Sequence, residues 1–236
     1  MGPAVSHGPV KNRLLTKLPG AEYERIRPHL EPVSFKLGEV IYESGGQMSH
    51  IYFPTTSIIS LLYLMENGAS AEIGVIGNEG VLGIALFMGG ETVPNRAVVQ
   101  SAGAASRLKA EALQIEFARS GTFQRALLRY TQALISQISQ TAVCNRLHSV
   151  EQQLCRWLLL SHDRLESDEL IMTQELIANM LGVRREGVTH AARRLQEHGL
   201  ISYVRGHIKI LDRAGLEAAV CECYRVVRDE YDRLLG

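Results

Sequence analysis

The stretch MTQELIANMLGVRREGVTHAARRLQEHGLI runs from Met172 to Ile201 and reads as two helices meeting at a glycine. Thr173 has the side chain of an N-cap, and Leu176, Ile177 and Met180 recur at helical spacing for burial. Gly182 suits the left-handed conformation that ends a helix, so a second helix from Arg184 to His198 needs few linking residues. Two helices joined through a short glycine-containing turn make a helix-turn-helix. Val188, Ala191, Ala192 and Leu195 are expected to face the first helix. Arg184, Arg185, Glu186, Thr189 and His190 gather near the N-terminus of the second, where a recognition helix presents side chains to base edges.

Outward from that unit, the chain has 236 residues, enough for two domains with separate cores. Its 25 basic and 25 acidic residues balance, so no global field marks a nucleic-acid binder. The local balance differs. Between Thr173 and Arg213 stand Arg184, Arg185, Arg193, Arg194, Arg205, Lys209 and Arg213, against Glu175, Glu186, Glu197 and Asp212. Phosphate contacts depend on such a local surplus. No run of ~18 apolar residues suggests a membrane span, and the N-terminus lacks an apolar signal core. Gly2 and Ser6 resemble a myristoylation start only weakly, with Pro3 between them. The four cysteines, Cys144, Cys155, Cys221 and Cys223, form no small-domain disulfide framework, which fits a reducing cytoplasm.

In chain order, residues 1 to about 12 read as disordered, and Asn12–Leu18 and Ala21–Arg27 as short helices. Strands follow at 32–37, 40–42, 51–53 and 58–64. The Asn67-Gly68 turn then leads into Ala71–Ile76, a strong hairpin signal. Further short strands through Val98 and Arg107 indicate an antiparallel barrel or sandwich. Ala110–Ala118 is helical, and a long helix runs from Thr122 to about His148. Along it Phe123, Leu127, Tyr130, Leu134, Ile138 and Thr141 form one apolar stripe. The stripe is assigned to a homodimer interface resembling a short parallel coiled coil; an intramolecular core face has the same periodicity and competes with it. Ser149 caps a helix from Val150 to Leu165 that buries Leu154, Trp157, Leu158 and Leu159. After the helix-turn-helix, residues 201–204 and 207–211 flank Gly206 as the hairpin wing of a winged helix. One last helix spans Arg213–Leu235, with Leu216, Val220, Tyr224, Val227, Tyr231 and Leu234 along it. The expected fold is α+β in three parts. A β-roll sensor domain occupies 12–121, a dimerisation helix 122–148, and a winged helix-turn-helix domain with its C-terminal helix 149–236.

That order of parts resembles the Crp/Fnr family of bacterial transcription regulators. The resemblance rests on Leu37-Gly38-Glu39-Val40-Ile41 with Gly45 and Ile51-Tyr52-Phe53 in the sensor half. In the DNA half it rests on Thr173–Ala178, Gly182–Val188, Leu195 and Gly199-Leu200-Ile201. It implies a cyclic-nucleotide-binding-like jelly roll, a homodimer, and a near-palindromic double-stranded DNA site. RNA polymerase is the further partner implied for an activator. Family recognition helices show Arg-Glu and then a second Arg four residues after the Glu. Arg185 and Glu186 match, and His190 stands in the third place. Arginine reads guanine O6 and N7 in bidentate fashion, and glutamate accepts from cytosine N4. Arg185, Glu186, Thr189 and His190 are therefore the candidate base readers. Thr173, Arg184, Arg193, Arg205, His207 and Lys209 are candidates for phosphate, although Arg193 and Arg194 equally suit a surface pair with Glu197.

Cyclic-nucleotide binders of the family carry a cassette of Gly-Glu, small residues, then Arg-Ser/Thr-Ala. Here the comparable residues are Gly80, Val81 and Gly83, then Arg96 and Ala97; Val81 replaces the glutamate that accepts from ribose. A ribose hydroxyl buried without that acceptor costs on the order of 1 to 3 kcal/mol. Gly80, Gly83, Arg96 and Ala97 remain the candidate effector pocket, with Arg96 reading more readily as a structural arginine paired to Glu91 or Glu79. The family's iron-sulfur branch has N-terminal cysteines that this chain lacks. Cys221-x-Cys223 on a helix would point its thiols to different faces, and Cys144 and Cys155 read as small core residues. No metal, cofactor or catalytic residue is expected, and no enzyme motif is present. The expected protein is a homodimeric, sequence-specific, cytoplasmic DNA-binding regulator whose sensor lacks the full cassette. A regulator that binds cyclic nucleotide through Arg96 is the alternative.

Overall fold

The computed structural model describes residues 12–165 and 167–236. The expectations for Gly2, Ser6 and the rest of residues 1–11 lie outside them. Asn12 is within them and is fully buried rather than disordered. Its carboxamide nitrogen donates to the carbonyls of Pro54 and Gly80, and its oxygen caps α1 (Arg13–Thr16).

After α2 (Gly20–Ile26), two antiparallel sheets form the N-terminal roll. One orders β1 (Glu31–Phe35), β7 (Gly103–Lys109) and β3 (His50–Pro54). The other orders β2 (Val40–Tyr42), β6 (Arg96–Ser101), β4 (Ile58–Leu64) and β5 (Ser70–Ile76). The β4–β5 hairpin turns at Asn67-Gly68: Gly68 has a φ of 83°, and the Asn67 side chain accepts from the Ala69 amide. Ile51, Phe53, Ile58, Ile59 and Leu108 fill the space between the sheets. The short α3 (Ala85–Met88) and α4 (Ala110–Phe117) lead to α5 (Thr122–Leu147), whose first amides donate to Glu22.

The apolar stripe assigned to a homodimer interface is largely covered within this one chain. Phe123, Leu127, Tyr130, Leu134 and Thr141 are buried within this one chain, and Ile138 is half-buried. The roll and the C-terminal helix cover that face between them. A Cβ at Gly80 would sit 2.4 Å from the Tyr130 ring, so glycine is what lets α5 seat there. Gln137 accepts from the Val75 amide at 2.7 Å and donates to the Tyr231 hydroxyl at 2.7 Å. The face left open carries Leu128, Gln132, Ile135, Ser139, Ala142 and Arg146, all exposed. Their alternating spacing of four and three is itself that of a heptad seam.

Ser149 and Gln152 form a capping box on α6 (Val150–His162), which ends three residues before Leu165. A strand that lacks any alternation long enough to announce itself, β8 (Glu169–Ile171), pairs with β10 (His207–Ile210), which pairs with β9 (Ile201–Val204). Between β8 and β9 lie α7 (Gln174–Leu181) and α8 (Arg185–Glu197). The single last helix expected over 213–235 is two, α9 (Arg213–Ala219) and α10 (Glu222–Leu235). Val220 is extended (ψ 154°) and breaks them, leaving Cys221 as the N-cap of α10.

Buried polar groups join the roll to the DNA half. Arg164 donates to Glu79 at 2.8 Å with both side chains about 5% exposed, and it passes so close to Gly77 that a Cβ there would meet it at 2.7 Å. Gln100 donates to Ser161 on α6, while within the roll Ser60 donates to the fully buried Glu72. Burial pushes the Glu72 carboxyl from its ordinary 4.5 up to about 7, against the Ser60 hydrogen bond and the charges of Arg156 and Arg164. A carboxyl raised in the folded state favours folding below its unfolded value, and that contribution is lost as pH rises. The loss falls between pH 4.5 and about 7 and amounts to roughly 3 kcal/mol. Glu72→Gln is expected to remove this fall. Urea unfolding of both proteins at about pH 5 and about pH 8 measures it, and parallel profiles would count against a buried ionisation.

Candidate DNA-reading interface and sensor pocket

The helix-turn-helix is built as local chemistry requires. Thr173 accepts from the Leu176 amide as N-cap of α7, and Gly182 closes the helix with a φ of 65°. Ile177, Ala178 and Leu181 share one buried cluster with Val188, Ala191, Ala192 and Leu195 of α8, and Met180 is buried as well. Leu176, expected inside, is 41% exposed: it lies one residue before the buried stripe that begins at Ile177. The opposite face of α8 presents Arg184, Arg185, Glu186, Thr189, His190 and Arg193 to solvent. The Thr189 hydroxyl already has partners within the motif. It lies 2.7 Å from the Gln174 side chain and 3.0 Å from the Arg185 carbonyl, which ties the start of α8 to α7.

Among the phosphate candidates, Arg184, Arg205 and Lys209 are exposed and make no ion pair with the described residues. Arg205 holds the wing turn with a φ of 50° beside Gly206. Arg193 instead pairs with Glu197 at 2.8 Å, one helical turn on, and Arg194 faces Glu151. His207 Nδ1 lies 2.6 Å from Glu169, its diagonal neighbour across the β8–β10 pair, in which Glu169 stands opposite Lys209. These partners come from strand and helix register.

The effector set divides. Gly80 serves the packing of Tyr130, and Ala97 is buried in β6. Arg96 pairs with Glu43 at 3.1 Å and with neither Glu91 nor Glu79, the latter being held by Arg164. Only Gly83 lines the cavity of the roll, a space of about 170 Å³ walled by Tyr42, Leu61, Ile73, Val81 and, from α5, Leu134 and Ile138. Val81 is wholly buried in that wall. The residues around this cavity are mostly apolar, and Arg96 is not among them.

The same architecture occurs in solved structures. FixK2 from Bradyrhizobium japonicum superposes with a TM-score of 0.69 at 17% identity, over 81% of this chain and 98% of that one. A putative transcriptional regulator of the Crp/Fnr family from Eubacterium rectale gives 0.67 at 20% identity, over 87% and 96%. The c-di-GMP-responsive global regulator CLP of Xanthomonas campestris gives 0.63 at 15%, over 81% and 99%. At these identities the likeness establishes the fold. In sequence, the cyclic nucleotide-binding domain family matches residues 32–120 and the Crp-like helix-turn-helix domain family matches residues 152–219. The chain belongs to the Crp/Fnr family.

As a Crp/Fnr protein with a Crp-like helix-turn-helix domain it is a DNA-binding transcription regulator. No curated protein matches it significantly in sequence. Two features of this Crp/Fnr chain escaped the sequence reading although each left a signal. Leu128, Ile135 and Ala142 repeat at intervals of seven, and Cys144 and His148 stand four residues apart at the C-terminal end of α5.

Proposed function

We propose that this regulator binds DNA as a homodimer and reads a near-palindromic site through α8. The observation that carries this is the two-sided α8, apolar residues buried against α7 beneath an exposed Arg184-Arg185-Glu186-x-x-Thr189-His190 surface beside the wing. Arg185 reads a guanine through both guanidinium nitrogens, Glu186 accepts from a cytosine, and His190 supplies one bond at the third position. Thr189 positions these residues through Gln174. Arg184, Arg205, Lys209 and the Thr173 hydroxyl approach phosphates, joined by Arg193 and His207 where phosphate displaces Glu197 and Glu169.

The dimer seam in this reading is the open face of α5, Leu128 to Arg146, supported by its heptad spacing. No described helix is long and apolar enough to cross a membrane; a DNA-binding role accords with the cytoplasm. The sensor domain acts without a cyclic nucleotide, because Val81 replaces the ribose acceptor, Arg96 is engaged by Glu43, and the 170 Å³ cavity lies below the ~300 Å³ at which ligand pockets begin.

Selection of bound DNA from a random pool, with and without cyclic AMP and cyclic GMP, tests this. The expected product is one inverted repeat with half-sites about ten base pairs apart, centre to centre, recovered equally in every arm. A site lacking two-fold symmetry would overturn the dimeric reading. A motif recovered only with a cyclic nucleotide would overturn the reading of the sensor.

A further inference from the structure

At the junction of α5 with the break between α9 and α10, three thiols and an imidazole face one another. Their ligating atoms, in Cys144, His148, Cys221 and Cys223, all lie within 4.8 Å of one another. The Cys144 and Cys221 sulfurs are 3.6 Å apart, and Cys223 Sγ is 3.4 Å from His148 Nδ1. A tetrahedral cation with metal–sulfur bonds near 2.3 Å and a metal–nitrogen bond near 2.0 Å has edges of roughly 3.5 to 3.8 Å. The two short separations are already of that size. We propose that these four residues bind one divalent, thiolate-preferring d-block cation of the Zn²⁺ kind.

The local fold explains the convergence. Cys144 lies in the last turn of α5, and His148 is the C-cap, its amide donating to the Cys144 carbonyl. Cys221 lies outside the helix as N-cap, so its extended backbone turns its thiol toward the same point as Cys223 in the first turn of α10. A continuous helix would have separated them. The three cysteines form a small buried cluster of their own, with Val220 as the partly buried apolar residue packed between it and the main core.

The surroundings are those of a ligand set. His148 turns Nδ1 inward while its Nε2 lies 3.4 Å from the Glu222 carboxylate, the arrangement that orients a metal-binding imidazole. Gln140 donates to the Cys223 sulfur at 3.1 Å. Three thiolates, one neutral imidazole and a dication carry one net negative charge. The buried Arg156, bonded to Thr141 one turn before Cys144 on α5, supplies a compensating positive charge from α6. Binding releases the thiol protons to solvent. His148 is 16% exposed, which leaves an entry path from its side. Occupied, the site pins the end of α5 to α10 next to Ser149, where the chain enters its DNA-binding half.

The full-length protein, purified under reducing conditions, tests this by elemental analysis and by anaerobic titration with Co²⁺ as probe. About one zinc per chain is expected, together with the charge-transfer and d–d bands of tetrahedral thiolate cobalt. Cys223→Ser and the partly exposed His148→Gln, each checked for native circular dichroism, should lose those bands. Glu222→Gln should weaken Co²⁺ binding about 10- to 100-fold. Cys155→Ser, at a buried thiol outside the group, should bind as wild type. Reduced protein that holds no zinc and gives no tetrahedral cobalt spectrum would overturn the proposal. So would bands that survive loss of Cys144 and Cys223 together, or a Cys144–Cys221 disulfide in protein that still refuses cobalt after reduction.

Discussion

Ile135→Glu is expected to yield a folded monomer whose DNA affinity falls by about 10²- to 10⁴-fold. Ile135 is 53% exposed within the chain and Leu128, seven residues earlier, is 48% exposed. A charge at either position therefore leaves the protomer's own core intact. In the proposed seam the same side chain faces its counterpart, and two buried carboxylates oppose each other without partners. Losing the dimer converts one bivalent encounter with an inverted repeat into two independent weak ones, and the effective-concentration gain of linkage is of that size. Sedimentation velocity and gel shift at one fixed salt concentration measure the two effects together. Leu134→Glu is the contrasting variant. Leu134 is 1% exposed against the roll, so it should impair folding itself. A dimer retained by Ile135→Glu at full affinity would move the seam elsewhere.

Arg185→Ala should cost about 1 to 3 kcal/mol in each half-site and relax the base preference at one position of each. Across two half-sites this is a loss of roughly 30- to 10⁴-fold, provided the contacts are independent. The side chain is exposed at the first turn of α8, where its carbonyl accepts from Thr189, so truncation leaves the backbone and the Gln174 tie in place. Repeating the selection from random DNA with the variant distinguishes this from a phosphate contact. A phosphate contact would weaken all sequences alike and lower the salt slope by about one. Unchanged preference at every position would remove Arg185 from the base readers.

The DNA half was the more legible because its signals are local. An N-cap threonine, a left-handed glycine and a 3.6-residue apolar period each act within a few residues, and Thr173, Gly182 and the Val188–Leu195 face adopt those forms. What those signals did not carry was the engagement of the exposed side chains. Thr189 with Gln174, Arg193 with Glu197 and His207 with Glu169 are set by how elements pack and register. The sensor half was legible as strands and turns, but the packing role of Gly80 and the partner of Arg96 were not. Each is decided by a residue far away in sequence, Tyr130 and Glu43.

The sequence by itself determined the order of elements, the caps and turns between them, and the α+β division into a roll, a long helix and a winged helix-turn-helix. Local backbone preference and hydrophobic periodicity suffice for that. Only the tertiary structure decided which face of α5 is consumed internally. A buried stripe has the same period whether its cover is a second chain or, as here, the roll and α10. Only the tertiary structure likewise broke the last helix at Val220 and turned Cys221 toward Cys223, Cys144 and His148. Convergence of four donors from segments some seventy residues apart depends on the packing of α10 against α5, which no local pattern encodes.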